Sequence, residues 1–130
     1  MNIVFVMKEF KNKHYKYDSL DFNMVLDIDF KDCLEKTMEM KDVFGHKIGY
    51  AEFTICPNHI SKILNFRIID KYQSFGFGKA LYIEIEKAIK DYSVRYIIID
   101  SFQESVDFWC KMGFEESLFE GNNILMEKRL

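Results

Sequence analysis

A chain of 130 residues with 48% apolar side chains has room for one folded unit, and it can bury roughly two-thirds of its unfolded surface without a disulfide or metal staple. Eighteen Lys and Arg against 21 Asp and Glu leave a net charge of −3, which argues against the basic face that a nucleic-acid partner needs. No apolar run approaches membrane-spanning length, and the opening MNIVFVMKEF has too short an apolar stretch and no small-residue cleavage site for a signal peptide, so a cytoplasmic location with no membrane partner is expected.

In chain order, NIVFVMK (Asn2–Lys8) is a strand candidate, KNKHYKYDS a polar, aromatic loop, and FNMVLDIDF (Phe22–Phe30) a second strand candidate. Thr37 to Val43 reads as a strand. FGHK then turns into IGYAEFTI (Ile48–Ile55), and two such runs joined by a short Gly-containing turn signal a hairpin. After PNH, ISKILNFRII (Ile60–Ile69) is a further strand. From Gly76 to Tyr92 the apolar positions Leu81, Ile85, Ala88, Ile89 and Tyr92 repeat with helical spacing, and Lys87 and Lys90 suit the last turns. RYIIID (Arg95–Asp100) has the continuous apolar character of a buried strand. SFQE (Ser101–Glu104) reads as a capping box that opens a helix to Met112, with Gly113 as a left-handed stop. The chain closes as two strands around EGNN.

The strand, helix and strand on either side of the glycines require a right-handed crossover between parallel neighbours, whereas the hairpins before and after are antiparallel. The expected fold is a mixed α/β sheet, mostly antiparallel, with a central parallel strand–helix–strand crossover and few helices. Cys33, Cys56 and Cys110 are odd in number and widely spaced. His14, His46 and His59 lack metal-ligand spacing, so three reduced, mostly buried thiols and no metal are expected. The early aromatics Phe5, Phe10, Tyr15, Tyr17 and Phe22 read as packing residues.

The stretch DKYQSFGFGKALYIEIEKAIKDY raises the functional question: what needs a bare backbone at the mouth of a helix? A plain turn is one answer. A dinucleotide-binding Gly-x-Gly-x-x-Gly is another, but the third glycine position holds Leu81, a six-residue polar loop separates Ile69 from Gly76, and only thirty residues follow Asp100. A P-loop fails because Lys79 lacks the wider glycine spacing before it and a Ser or Thr after it. A third answer suits phosphates: small residues let backbone N–H groups approach, and a helix start adds the positive end of a dipole.

QSFGFG (Gln73–Gly78) matches Gln/Arg-x-x-Gly-x-Gly/Ala after an apolar strand and before a helix. In this it resembles the acetyl-CoA site of the GCN5-related N-acetyltransferase (GNAT) family. DFWCKMGF (Asp107–Phe114) is similar to that family's Phe-Tyr-x-x-x-Gly-Phe helix, and GNNILMEKRL to its last strand; the resemblance runs from about Gly45 to Leu130. It implies a GNAT-like fold and an acetyl-CoA-dependent acyltransferase that acts on an amine acceptor, a small molecule or a protein. It also implies pyrophosphate contacts from the loop Gln73, Ser74, Phe75, Gly76, Phe77, Gly78 and Lys79, and strand-like pairing of the pantetheine arm with the backbone of Phe66, Arg67 and Ile68.

The sequence departs from the family where the chemistry is. Trp109 stands where a proton-donating tyrosine is usual, Asn65 where an acidic residue is common, and Phe102 where an asparagine often precedes the last helix. Trp109 is therefore expected at the cofactor or in the core, and the catalytic residues stay unassigned. Glu52, Asp70, Glu104 and His46 are candidate bases. The alternative function is a non-catalytic acyl-CoA-binding or interaction domain that keeps the fold. A homodimer remains an open arrangement.

Overall fold

The computed structural model describes residues 2–10, 33–120 and 123–130. The strand candidate at 22–30 and the loop before it lie outside the described residues. The strands are β1 (Ile3–Phe10), β2 (Leu34–Asp42), β3 (Lys47–Ile55), β4 (Ile60–Ile68), β5 (Tyr96–Phe102), β6 (Glu115–Glu120) and β7 (Asn123–Arg129). The helices are α1 (Phe77–Lys90) and α2 (Val106–Lys111). The strands form one sheet in the order β1-β2-β3-β4-β5-β7-β6. Every neighbouring pair is antiparallel except β4 and β5, which run parallel and are joined through α1. The mixed sheet and its central crossover are those expected from the sequence. Among the described residues no helix is long and apolar enough to cross a membrane.

Alternation along the strands sorts side chains to two faces. One face carries Met38, Met40, Ala51, Phe53, Ile63, Ile97, Ile99, Ile124 and Met126, and α1 lies against it through Leu81, Tyr82, Ile85 and Ile89, all buried. These helix positions recur at the spacing of one stripe, which is why the sequence pattern marked α1 within two residues at each end. Tyr82 is too large to bury without a partner for its hydroxyl, and it donates to Glu86 at 3.2 Å. Burial, reinforced by the Glu86 carboxylate, pushes its phenol pKa up, so it stays neutral. Glu86 in turn pairs with Lys128 at 2.8 Å, tying α1 to β7.

Two expectations need correction. The first is the Ser101–Glu104 capping box, which does not form. Ser101 and Phe102 remain in β5, paired with Ile124 and Asn123 of β7, and Ser101 Oγ donates to the Phe102 carbonyl at 2.8 Å. The ladder holds these residues extended, so α2 begins only at Val106, after a 3₁₀ turn over Gln103–Ser105. Its expected left-handed stop is present, with Gly113 at φ +98° and the Phe114 N–H donating to the Trp109 carbonyl at 3.0 Å.

The second correction concerns the thiols. Cys33 and Cys56 form a disulfide, and Cys110 is free and exposed. The antiparallel register sets Leu34 opposite Ile55, so the cysteines flanking that pair become cross-strand neighbours, with Cα atoms 4.2 Å apart. Their separation of 23 residues hides this in the sequence.

The β3–β4 contact is close because Gly49, opposite Ile68, has no side chain. A Cβ there would lie 2.6 Å from the Arg67 carbonyl oxygen, a backbone atom that cannot swing away. Gly49→Ala should therefore destabilise the fold by about 1–3 kcal/mol. Urea denaturation checks this; unchanged stability would mean that the two strands are not held at this separation.

Candidate active site

The site begins where β4 leaves β5. The parallel pairing covers Ile60↔Tyr96 to Ile63↔Ile99 and then stops, although β4 continues to Ile68 and β5 to Phe102. On its other edge β4 stays paired with β3, but the register slips: Ile63 opposes Phe53 and Asn65 opposes Glu52, which leaves Leu64 as an extra residue. A bulge of this kind bends its strand and increases the twist. It turns β4 away from β5 and opens a wedge toward the strand's C-terminal end.

The glycine loop closes the wide end of the wedge. A 3₁₀ turn over Asp70–Tyr72 follows β4, and Gln73 braces it by donating from Nε2 to the Ile68 carbonyl at 3.0 Å and to Asp70 Oδ1 at 3.2 Å. Ser74 and Gly76 take positive φ of 69° and 84°. A left-handed conformation is costly for most residues, about 1–2 kcal/mol, and free for glycine. Gly76 caps α1, and the first helical bond runs from the Ala80 N–H to the Gly76 carbonyl at 3.2 Å. The amides of Phe77, Gly78 and Lys79 precede that bond, as the first amides of any helix must, and so face out from the helix end.

The wedge holds a cleft of about 630 Å³. One wall is Phe66 and Ile68 of β4; the loop wall is Tyr72, Gln73, Ser74, Gly76, Phe77, Gly78 and Lys79; the third is Glu104, Ser105, Phe108, Lys111 and Met112 around α2. Eight of the eleven residues expected at a cofactor thus line one cleft. Phe75 does not: it is 73% exposed and stands outside. Arg67 contributes strand backbone, while its exposed guanidinium lies 3.8 Å from Asp70. Trp109 lines a smaller slot beside the cleft, discussed below. Phe108, Lys111 and Tyr72 went unnoticed in the sequence, because nothing local says that α2 packs across the glycine loop. That packing also assigns Gly78 a reason beyond ligand approach: a Cβ there would meet the Phe108 ring at 3.3 Å.

Trp109 is 3% exposed. Its ring sits 4.8 Å from Phe108, 5.0 Å from Phe66, 5.2 Å from Phe114 and 5.9 Å from Tyr82, each edge-on. Edge-to-face contacts of this kind add about 0.5–1.5 kcal/mol each beyond area burial. The residue therefore fills the core that spreads β4 from α2, and the indole has no acidic proton to give near neutrality.

Beneath the cleft lies a slot of about 130 Å³ between the parted strands, lined by Ile63, Leu64, Asn65, Phe66, Ile99, Asp100, Ser101, Phe102, Ser105 and Trp109. Phe66 and Ser105 line both spaces, so the slot adjoins the cleft. Asp100 accepts a hydrogen bond from Lys62 Nζ at 3.2 Å. Of the candidate bases, Glu104 alone lines the cleft; His46 is held by Asp42 in the β2–β3 turn at 2.9 Å, Asp70 is 85% exposed, and Glu52 is half-buried on β3.

The comparisons agree with this geometry. A family model for the acetyltransferase (GNAT) domain matches residues 29–126. The chain belongs to the GNAT family of acetyltransferases. No curated protein sequence matches it. Among solved structures, an acetyltransferase from Bacillus cereus superposes with a TM-score of 0.69 at 22% identity, covering 91% of this chain and 98% of that one. PaiA N-acetyltransferase from Thermoplasma acidophilum, crystallised with coenzyme A, gives 0.67 at 22% identity over 72% of this chain. The present chain spans 60% of that protein's length. Tetrahymena GCN5 gives 0.68 at 16% identity, covering 73% of this chain and 68% of its own. At these identities the likeness establishes the fold.

Burial holds the Lys62 ammonium below its ordinary value of 10.5, with Asp100 opposing the shift. Unfolding returns Lys62 to its ordinary value, so the unfolded chain binds more protons between the two values and stability rises with pH across that window. Lys62→Met should remove this rise and leave neutral-pH stability equal or higher, since buried charges cost desolvation. Urea melts of both proteins at successive pH values up to the ordinary lysine value of 10.5 test the slope; parallel pH dependences would refute it.

Proposed function

We propose that this protein is an acetyl-CoA-dependent N-acetyltransferase that moves an acetyl group to a primary amine. The observation that carries the reading is the parting of β4 from β5 next to a left-handed glycine loop at a helix start, which sets helix-start amides, a cleft and an adjoining slot side by side. The pyrophosphate lies on the amides of Phe77, Gly78 and Lys79 and the preceding loop, assisted by the dipole of α1. Lys79 and Lys111 add positive charge along the cleft. The pantetheine arm runs beside Phe66–Ile68, where β4 has lost its neighbour and offers strand-like pairing. The thioester then reaches the slot.

The residues derive an economical mechanism from this placement. The amine nitrogen attacks the thioester carbon, a C–N bond forms, the C–S bond breaks, and coenzyme A leaves as a thiolate. A thiol titrates near about 8.5, so the thiolate is a tolerable leaving group near neutrality and takes its proton from water. Trp109 then shapes the slot without acting as an acid. A second reading, a coenzyme A-binding domain without turnover, is favoured by that same residue, because the usual donor is missing. Release of free thiol from acetyl-CoA in the presence of a panel of primary amines separates the two: binding without any release supports the second.

Two variants test the assignment. Gly78→Val pushes on Phe108 and narrows the cleft at the nest, so coenzyme A affinity should fall at least about tenfold while the helical circular dichroism persists. Unchanged affinity by calorimetry would remove the loop from the site. Trp109→Phe should retain activity per folded molecule within about tenfold, because a lost general acid costs about 10²–10⁴. A loss above a hundredfold in the folded variant would give the indole N–H a direct part in the reaction.

A further inference from the structure

The sheet ends in two edge strands, β1 and β6, and they are built differently. β6 carries exposed Glu115 and Glu116, and its register slips between Glu116 and Leu118. Charges and bulges of this kind keep an edge from pairing with another chain. β1 is left bare. It pairs with β2 without a break from Ile3↔Asp42 to Phe10↔Glu35, and it holds no proline or glycine. Its stretch Ile3–Met7 is apolar throughout, with Val4 and Met7 exposed at 45% and 44%. Among the described residues no strand covers its outer edge, which presents backbone N–H and C=O groups in need of partners. Ile3 and Phe5 pack toward the core under α1, and Phe5 and Met7 wall a groove of about 350 Å³ whose α1 side carries Glu84, Lys87 and Asp91. Val4 and Val6 alternate to the other face.

We propose that the outer edge of β1 is the docking surface for a second copy of this chain, joined edge to edge about a two-fold axis at Phe5 so that one sheet runs through both. A bare edge is complemented by another strand, and the sequence of β1 complements itself. The run Ile-Val-Phe-Val-Met reads nearly alike in both directions from Phe5. Antiparallel pairing about Phe5 sets Ile3 opposite Met7 of the second copy, Val4 opposite its Val6, and Phe5 opposite its Phe5. Every one of these pairs is apolar, and opposed side chains share a face. The charges agree with this register. Lys8 stands opposite Asn2 of the second copy, and the two Lys8 residues fall about 20 Å apart at opposite ends of the seam, beyond the screening length. Parallel pairing would set Lys8 beside Lys8. On the α1 face, Ile3, Phe5 and Met7 of the second copy extend the apolar floor of the groove. The pairing closes on itself: each copy uses its one bare edge, the guarded β6 edges face outward, and assembly stops at two. β4, with the donor cleft, is three strands from β1 in the sheet, so the pairing leaves the cleft open and is independent of the acetyl-transfer reading.

Sedimentation equilibrium of the wild type, at loadings up to about 100 μM, should give twice the chain mass. Two charge variants isolate the seam. Val4→Lys with Val6→Lys sets lysine opposite lysine twice, and Val4→Glu with Val6→Glu sets glutamate opposite glutamate. Each should raise the dimer dissociation constant at least about tenfold while the circular dichroism stays that of the wild type. Mixed in equal amounts, the two should dimerise again, because each lysine then meets a glutamate. Cysteines decide the matter even if the charged variants fail to fold. In a Cys110→Ser background, Val4→Cys and Val6→Cys proteins mixed and oxidised with diamide should give a disulfide-linked dimer, since opposed Cα atoms lie about 4.5–5.5 Å apart, within reach of a disulfide. Neither cysteine variant alone should cross-link to the same extent, because Val4 opposes Val6 and not itself. A wild type that stays monomeric, grows beyond two copies, or remains dimeric in both folded charge variants overturns the proposal. Folded charge variants that dissociate but are not restored by mixing overturn it, as does a cysteine mixture that cross-links no better than its components.

Discussion

The bulge at Leu64 is the constraint on which the rest of the site depends. Up to Ile63, β4 is an interior strand with neighbours on both edges. One extra residue shifts its register against β3, and from there one edge of the strand has no partner strand. Backbone donors and acceptors on such an edge must be satisfied by water or by something that behaves like a strand. A sheet edge in the middle of a sheet, flanked by a helix start, is an unusual surface, and it exists because seven strands are kept in order on either side of the gap.

What keeps the gap open is aromatic. Phe66, Phe108, Trp109, Phe114 and Tyr82 form a contiguous set of tilted and edge-on rings between β4, α1 and the region after α2. Rings of this size cannot collapse into the space between two strands, so the wedge is filled at its base and left open above. Trp109 is the largest of them. Its position shows how one residue can be decided by packing and still carry a chemical consequence: a bulkier core at the cost of an ionisable hydroxyl. On the acetyl-transfer reading proposed above, the chemistry relies on orientation and on a good leaving group, which are the terms that need no proton donor.

The two faces of the sheet divide the labour. The helix-packed face carries most of the apolar core, with Lys36 buried in it and donating to the Tyr92 hydroxyl at 2.7 Å. The opposite face places Lys62, Thr54 and Glu35 below a tenth exposed, and partners offset their burial: Thr54 bonds the Lys62 backbone, and the Lys62 ammonium meets Asp100. Here the buried cation lies directly under the narrow end of the gap, within reach of the carboxylate that borders the slot.

Helix α1, the strands β3, β4 and β5, the terminal hairpin and the Gly113 stop were legible because each is written locally, in a 3.6-residue stripe, an apolar run or a turn residue whose φ must be positive. The Gln73–Gly78 loop was legible for the same reason, since a glycine pair at a helix mouth is a backbone requirement. Other features had no local signature. The capping box at Ser101 was a correct local pattern that lost to the β5–β7 ladder, because several interstrand bonds outweigh one side-chain cap. The Cys33–Cys56 bond follows from cross-strand register, and register joins residues that the sequence keeps apart. The burial of Trp109 and the contact of Gly78 with Phe108 depend on where α2 crosses the loop. The Lys62–Asp100 pair depends on two parallel strands separated by a whole helix. The sequence by itself determined the elements, their order and the backbone freedom at the glycines, because these are set by residues within a turn or two of each other. Only the tertiary structure decided which walls meet at the gap and which charges face it, because those contacts are made across strands and obey packing, not spacing.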